Sequence, residues 1–546
     1  MRPHLRDALR EFVLDGATLR AAGDGVPLAG LVSVGPRFRW QPDGRPCSIR
    51  RTWLDTFDWR LYRAGLTLEL ASRPRGPAEY RLTGRDGELI AAQPAAPPTT
   101  AAPATTTAGS RSPRAAQQSW LLSALPEGPL REQLAPVVGV RALLPVARAV
   151  STARQLRVLN DDDKTVARVT VDQMAPGPKA PGLPPRLIIT PLRGYQSQAD
   201  RLAELLTAAD GVTEAGTGPL EQALAAAGRH PGDYTGKISV RLDPQQPAAS
   251  AVAIVLTSLL DTLETNVPGT IKDIDTEFLH DLRVAVRRTR SALKLAGDVL
   301  PAGLAARFRP EFKRLGDLTT PTRDLDVYLL GFGGMAAGLV AAPVADLEPF
   351  RALLARKRAA EQRQLARGLR NPKFSVLTRD WREALAAVPT SRRGRLTARA
   401  LADQRIRKAH RRVLADGAAI TPASAPEALH DLRKRAKELR YALEIFGSLY
   451  DPGAHWQAVR ELKALQDCLG TFQDTQVQTD ELRAFAGEMM AGRTVPAATL
   501  LAMGEVAAGL ARQQHAARSE FAGRFRDFAG PGGQSRILAM TGEARG

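Results

Sequence analysis

The stretch HDLRVAVRRTRSAL (residues 280–293) returns 150 residues later as HDLRKRAKELRYAL (residues 430–443). Further along, EFKRLGDLTTPTRDLDV (311–327) matches ELKALQDCLGTFQDTQV (461–477) at the same offset and without a gap. Lys313 corresponds to Lys463 in this second pair. Because chance matches rarely keep one register over blocks of this length, the sequence predicts a duplicated helical unit.

Each histidine opens a row of cations at spacings of three and four, which places the row on one face of a helix. The first stripe consists of His280, Arg283, Arg287, Arg290 and Lys294. The second stripe consists of His430, Arg433, Lys437 and Arg440. Leucines, valines and alanines fall on another side of both helices and are predicted to pack into the core.

Like charges lined up on a helix destabilise it by about 0.2–0.5 kcal/mol per pair. Two interpretations account for this cost: an anionic ligand bound by both stripes, or a solvated face neutralised by acids of a neighbouring helix. The candidate acids are Asp317, Asp324, Asp467 and Asp474. Two stripes at matched positions favour the ligand. The histidines can either pack or bind, and the sequence leaves both roles open.

The overall charge also favours a polyanionic partner. The chain of 546 residues has 76 basic and 57 acidic residues, a net charge of +19, with 44% hydrophobic and 24% charged residues. This is the composition of a soluble globular protein whose partner could be nucleic acid, an anionic membrane or polyphosphate. An arginine-rich solvated surface is the alternative interpretation.

Several function classes are not expected. The cysteines, Cys47 and Cys468, lie far apart, which favours a reducing compartment. The N-terminus has no apolar core of signal-peptide length, and the apolar run 251–260 is too short to span a bilayer. Histidines and cysteines show no metal-binding spacing. We therefore predict a cytoplasmic protein with no membrane association, no metal site and no cofactor.

The pattern of the chain predicts an α+β domain followed by an all-α domain. Residues 1–215 alternate as strands do, apart from a disordered Ala/Pro/Thr-rich insertion at 91–118, a helical stretch at 119–148 and a short helix beginning at 197. The boundary is expected within 230–237. Residues 240–530 read as two helical repeats, about 240–390 and 391–530. Proline or glycine is predicted to interrupt the helices near 301, 310, 321, 371 and 422, and GFGGMAAG (331–338) is predicted to be a turn.

The repeated blocks closely resemble the CHAD domain, the conserved histidine α-helical domain. Its hallmark is two repeats, each with a His-x-x-Arg helix followed by an LG…RD…V segment. The second repeat has Gln473 where the first has Arg323. The resemblance implies two helical bundles around a basic groove, with inorganic polyphosphate as the ligand, often on polyphosphate granules. The residues it assigns to polyphosphate are both stripes together with Lys313 and Lys463.

The N-terminal half resembles the CYTH domain, a triphosphate tunnel formed by an antiparallel β-barrel, through WLDTFDWRLYRAGLTLELAS (53–72). It lacks that family's opening Glu-x-Glu-x-Lys strand. Glu69 and Ala71 stand at the arginine positions, and the later acidic strand reads LIIT. A metal-dependent triphosphatase needs several carboxylates around its metal. We therefore expect a CYTH-like domain without catalysis.

The leading hypothesis is a non-enzymatic protein that binds polyphosphate through its basic helix faces. A triphosphatase acting through the N-terminal domain is the enzymatic alternative. Nucleic-acid binding is a third and less favoured possibility, because the stripes contain no aromatic residue on which bases could stack.

Overall fold

The computed structural model describes residues 10–14, 38–95, 119–177, 182–388, 396–492 and 495–542. The chain divides into two compact units between Thr235 and Gly236, within the stretch 230–237. The first unit is built on a β-sheet and the second contains helices. The predicted succession of an α+β part and an all-α part is therefore correct.

The first unit contains one antiparallel sheet with three helices of eight to twelve residues and shorter helical turns. Its strands are β1 Arg10–Leu14, β2 Arg39–Pro42, β3 Cys47–Thr56, β4 Leu66–Ser72, β5 Glu79–Gly84, β6 Leu89–Pro94, β7 Leu143–Leu159, β8 Thr165–Ala175, β9 Arg186–Pro191 and β10 Val212–Glu214. Its helices are α1 Arg60–Arg63, α2 Pro129–Val138, α3 Gln196–Thr207 and α4 Pro219–Ala226.

The strand order is β10-β1-β9-β8-β7-β3-β4-β5-β6, with β2 paired to β7. Within the described ranges β10 and β6 do not pair with each other, so the sheet is open where a closed barrel was predicted. The acidic stretch 160–164 forms the hairpin turn between β7 and β8. Asn160 Oδ1 holds this turn by accepting hydrogen bonds from the backbone of Asp162 (3.1 Å) and Lys164 (3.0 Å).

Two predictions for the first unit were wrong in part. Residues 91–94, assigned to a disordered insertion, belong to β6, because they pair with β5 through partners such as Tyr80 and Gln93. Residues 96–118 lie outside the described part of the chain. The helix predicted for 119–148 is confined to Pro129–Val138, and Leu143 already begins the longest strand. There, antiparallel pairing with β3 and β8 outweighs local helix preference.

The second unit contains α5 Ala248–Lys272, α6 Thr276–Ala296, α7 Leu304–Ala337, α8 Glu348–Arg370, α9 Pro372–Ala386, α10 Ala398–Ala418, α11 Pro426–Phe446, α12 Pro452–Ala491, α13 Ala497–Ala529 and α14 Pro531–Met540. The helices that carry the stripes, α6 and α11, are both 21 residues long. Their first residues, Thr276 and Pro426, are separated by the same 150 residues as the sequence blocks.

Helix α7 corrects three predicted interruptions. Pro310, Pro321 and the glycine-rich 331–337 all lie inside this one helix. Buried Phe308, Phe312 and Leu325 lie along the same helix. Proline removes one backbone donor and glycine lowers helix propensity, but tertiary packing supplies most of a helix's stability in a folded protein.

Helix α5 lies in the core of the second unit. By length and composition it is the one helix among the described residues that could cross a membrane, although core helices of soluble proteins pass the same test. Most of its apolar side chains are packed inside the unit, with Val252, Val255 and Leu256 fully buried, whereas Ile254 is exposed. The apolar segment is thus longer than the run 251–260 seen in the sequence.

Candidate anion-binding site

Helix α6 buries one side in the core and presents the first stripe on the other side, where His280 and Arg283 are half-buried and the rest of the stripe is exposed. Leu282, Val286 and Leu293 are buried. The helix begins after Asp275, whose side chain accepts hydrogen bonds from the backbone N–H groups of Glu277 (2.9 Å) and Phe278 (3.3 Å). The cap and the apolar side together fix which cations face outward.

Helix α6 packs beside α11, the helix of the second stripe. Arg288 on α6 forms an ion pair of 2.9 Å with Glu444 on α11, and Lys294 pairs with Glu438. These contacts hold the two basic helices together despite their like charges.

One cavity, of about 440 Å³, lies between α6, α7 and α12, and we call it cavity one. Its wall contains four arginines, one histidine and three carboxylates: Arg283, Arg287, Arg290, Arg323, His280, Asp324, Asp474 and Glu481. Arg283 Nη1 donates hydrogen bonds to the hydroxyls of Thr319 (3.2 Å) and Thr320 (2.7 Å). The cavity is therefore of mixed charge, with a guanidinium held in place by hydroxyl groups.

The other cavity, of about 480 Å³, is lined by residues of α6, α10 and α11, and we call it cavity two. Eight of its lining side chains are basic and one is acidic: Arg287, Arg290, Lys294, Arg405, Lys408, Arg412, Lys434, Lys437 and Glu438. So high a density of one charge focuses the electrostatic potential on anions. Arg287 and Arg290 line both cavities, so the two share a wall.

Several cations of this region are free to bind a ligand. Within the described ranges, no carboxylate forms an ion pair with Arg287, Arg290, Arg323, Lys408 or Lys437. Arg287 instead lies 5.9 Å from the ring centre of Tyr441. Unpaired guanidinium and ammonium groups in a shared concave wall can take phosphate or carboxylate oxygens as hydrogen-bond acceptors.

The pKa values of the site reflect burial first and, for Lys437 and His280, neighbouring positive charge second. Burial, followed by the charges of Arg433 and Arg287, lowers the pKa of Lys437 to about 8. Burial and the neighbouring Arg323 lower the pKa of His280. Burial raises the pKa of Asp324 despite the nearby Arg283. An incoming anion would therefore relieve repulsion that the free protein sustains.

The predicted residues are only partly brought together. Each of the five members of the first stripe lines at least one of the two cavities, but of the second stripe only Lys437 does so. His430 Nδ1 lies 2.8 Å from Gln473 Oε1, Arg433 pairs with Asp474 at 2.9 Å, and Arg440 pairs with Glu444 at 2.7 Å.

Lys313 and Lys463 line neither cavity. Each pairs with an aspartate one turn along its own helix, Lys313 with Asp317 at 3.7 Å and Lys463 with Asp467 at 2.6 Å. Asp317 and Asp467 thus pair with lysines of their own helices and not with the stripes. Asp474 pairs with Arg433 from a neighbouring helix, as the solvated-face interpretation predicted for the stripes.

The sequence interpretation missed the basic row of α10. Arg405, Lys408 and Arg412 have the same spacing of three and four as the stripes and line cavity two. The spacing was visible in the sequence, but this row has no counterpart 150 residues earlier, where Val255, Ser258 and Thr262 stand. Arg323 and Lys434 were missed because they lie outside the stripe spacing.

Arginines pair with several carboxylates on the strands of the first unit, whereas the buried Asp55 on β3 accepts hydrogen bonds from backbone N–H groups. Glu11 on β1 pairs with Arg186 on β9. Arg51 on β3 lies 2.8 Å from Asp172 and 3.6 Å from Glu69. Among the described residues no group of three or more histidine, cysteine, aspartate or glutamate side chains is arranged to hold a metal ion.

Residues 254–483 match the family model of the CHAD domain. This part of the chain is a CHAD domain. It contains both stripes and nearly all of α5 to α12, and it is shorter than the predicted 240–530. Helices α13 and α14 complete the same compact unit outside the matched segment.

Two solved structures are similar to the chain. The CHAD domain from the plant Ricinus communis is 23% identical, covers 57% of this chain and 97% of its own, and has a TM-score of 0.41. PptA from Streptomyces chartreusis is 17% identical, covers 51% of this chain and 99% of its own, and also has a TM-score of 0.41. No curated protein matches the sequence.

Proposed function

We propose that the CHAD domain binds inorganic polyphosphate along the wall shared by cavities one and two. The observation that carries this proposal is cavity two, where eight basic side chains surround one carboxylate. A polyphosphate has a negative charge at each phosphate and no bases to be read. A concave row of arginines and lysines is what such a ligand requires.

Polyphosphate fits the site better than single-stranded nucleic acid. Base binding relies on exposed aromatic rings as stacking platforms. The lining contains two aromatic residues, Tyr328 and Tyr441. Tyr328 is buried, and the half-buried Tyr441 lies against Arg287. Nucleic acid is therefore the comparison ligand in the test.

The same proposal covers the remaining parts of the chain. The common offset of α6 and α11 supports a duplicated helical unit. The antiparallel sheet and the WLDTFDWRLYRAGLTLELAS stretch support a CYTH-like first unit. The pairing of Glu11, Asp172 and Glu69 with arginines supports the absence of metal-dependent triphosphatase activity. A cytoplasmic, granule-associated location accords with this ligand.

The test measures binding of long-chain polyphosphate, tripolyphosphate and single-stranded DNA at two salt concentrations. Replacing Arg283, Arg287, Arg433 and Lys437 by alanine should weaken polyphosphate binding strongly. The slope of log affinity against log salt should become shallower, by up to about one unit for each phosphate that the variant no longer neutralises.

A matched control removes four positive charges elsewhere on the same unit. Arg307, Arg351, Arg379 and Arg524 are exposed and line neither cavity. Their replacement by alanine should leave most of the affinity intact. Equal losses in the two variants would show diffuse attraction rather than a site, and tighter binding of DNA would favour the nucleic-acid alternative.

A further inference from the structure

The two halves of the helical unit carry different chemistry at matched positions. Around Arg283 the first half has Thr319, Thr320 and Arg323. At the positions 150 residues later, the second half has Leu469, Gly470 and Gln473. The second half thus lacks the two hydroxyl groups and the guanidinium group, and its residues at these positions provide fewer hydrogen-bond donors and no positive charge for an anion.

The first half presents donors that the protein itself does not use up. Arg323 Nη1 is buried and has no hydrogen-bond partner among the described residues. A buried N–H group without an acceptor destabilises the fold, so a ligand oxygen that accepts its hydrogen bond in cavity one would recover that energy. Arg283, held by the two threonine hydroxyls, faces the same cavity. Two guanidinium groups therefore converge on one space.

The second half satisfies its corresponding groups internally. Gln473, which stands where Arg323 stands in the first half, is 2.8 Å from His430 Nδ1. Because the amide oxygen of Gln473 accepts, His430 donates. Arg433 is paired with Asp474, and Arg440 with Glu444 and with Gln466 Oε1 at 3.2 Å. None of the residues His430, Arg433 and Arg440 lines either cavity.

We propose that phosphoryl recognition is one-sided, with Arg283 and Arg323 holding a phosphoryl group of the ligand in cavity one. The matched residues of the second half stabilise the fold, and that half contributes to binding through Lys434 and Lys437 in cavity two. This inference rests on the proposed polyphosphate function and deepens it. It names Arg323 as a residue that determines specificity and gives the two stripes unequal weight.

A pair of charge-neutral double variants tests the inequality. Arg283→Ala with Asp324→Asn removes one arginine and one carboxylate of cavity one, and Arg440→Ala with Glu444→Gln removes one arginine and one carboxylate of the second half that line neither cavity. The net charge is unchanged in both, so diffuse attraction is held constant. With long-chain inorganic polyphosphate as the probe, the first variant should bind about tenfold or more weakly, as expected when a charge-assisted hydrogen bond is removed. The second should stay within about threefold of the wild type.

An exchange of the differing residue tests Arg323 directly. Arg323→Gln, which installs the second half's residue, should lower affinity about tenfold. Arg351→Gln on the exposed surface controls for the removed charge and should change affinity less than about threefold. Because Arg323 Nη1 lacks an internal partner, Arg323→Gln should retain the wild-type melting temperature. The Arg323→Gln variant therefore tests one-sided recognition even if the first double variant fails to fold.

The outcomes separate this inference from the function on which it rests. Equal losses in the two double variants, or an Arg323→Gln protein that binds like the wild type, would overturn one-sided recognition while leaving polyphosphate binding in place. A wild-type protein that does not bind polyphosphate would overturn the proposed function itself.

Discussion

At the scale of single residues, Glu438 limits the positive charge of cavity two. Its carboxylate pairs with Lys294 and lies 3.6 Å from Arg435 and 4.0 Å from Arg412. A polyanion competes with this carboxylate for the same cations. The carboxylate of Glu438 therefore lowers the affinity of this otherwise basic site for a polyanion.

Glu438→Gln should therefore tighten polyphosphate binding several-fold at low salt, and the gain should shrink as salt screens the site. The measurement is a titration of polyphosphate at two ionic strengths. Glu488→Gln, which removes a carboxylate paired with Lys357 outside both cavities, is the matched control. A gain of the same size in the control would assign the effect to net charge rather than to cavity two.

Lys437 makes the binding depend on pH. Burial and the neighbouring Arg433 and Arg287 lower its pKa to about 8, while Asp474 opposes them. A bound polyanion favours the charged lysine, so binding takes up a proton above the free-state pKa. Affinity is complete below this value and falls as the pH rises through about 8.

We expect wild-type affinity for polyphosphate to fall between about pH 7 and about pH 9.5, where Lys437 loses its proton. Lys437→Arg keeps the charge over this range and should show a flatter profile. Isothermal titration at several pH values provides the measurement. If the wild-type affinity is as independent of pH as that of the variant, deprotonation of Lys437 does not affect polyphosphate binding.

At the scale of secondary structure, the site depends on close contact between α5 and α6. Gly269 on α5 is buried, and a methyl group there would overlap the ring of Phe278 on α6. A side chain can occupy that space only if the Phe278 ring or the helices move. Since α6 carries the first stripe, this glycine sets where the stripe lies.

Gly269→Ala should destabilise the protein by about 1–3 kcal/mol through overpacking, although alanine favours a helix. Gly504→Ala on α13 is the matched control, because its surroundings are open. It should stabilise the protein by about 0.5–1 kcal/mol. Urea unfolding of both variants measures the difference, and changes of the same sign would contradict the packing argument.

At the scale of the whole molecule, function is expected to divide along the boundary at Thr235 and Gly236. Residues 236–546 contain both cavities and the complete helical core. Residues 1–235 contain a sheet whose Glu11, Asp172 and Glu69 are paired with arginines.

The fragment 236–546 should therefore fold and bind polyphosphate with nearly the affinity of the full chain. The full chain with Mg²⁺ or Mn²⁺ should release no phosphate from tripolyphosphate or nucleoside triphosphates. Phosphate release that disappears when residues 1–235 are deleted would establish the enzymatic alternative. Binding and a malachite-green phosphate assay on the same two proteins provide the measurements.

The sequence by itself determined the succession of a sheet unit and a helical unit, and the faces of the two repeated helices. Spacings of three and four placed the first stripe on one side of α6, and alternation indicated strands in the first unit, because both periodicities are local properties of the backbone. The 150-residue offset likewise gave the matching bounds of α6 and α11. The predicted interruptions of α7 failed because proline and glycine were weighed without their packing partners.

Only the tertiary structure decided which charges meet. It brought Arg405, Lys408 and Arg412 of α10 to the first stripe, paired Arg433 with Asp474, and left Lys313 and Lys463 outside both cavities. A repeating pattern fixes the direction of a side chain relative to its own helix. The pattern does not specify which helix packs opposite. Ion pairing depends on that neighbouring helix, because the attraction between two charges is strong only when they lie a few ångströms apart.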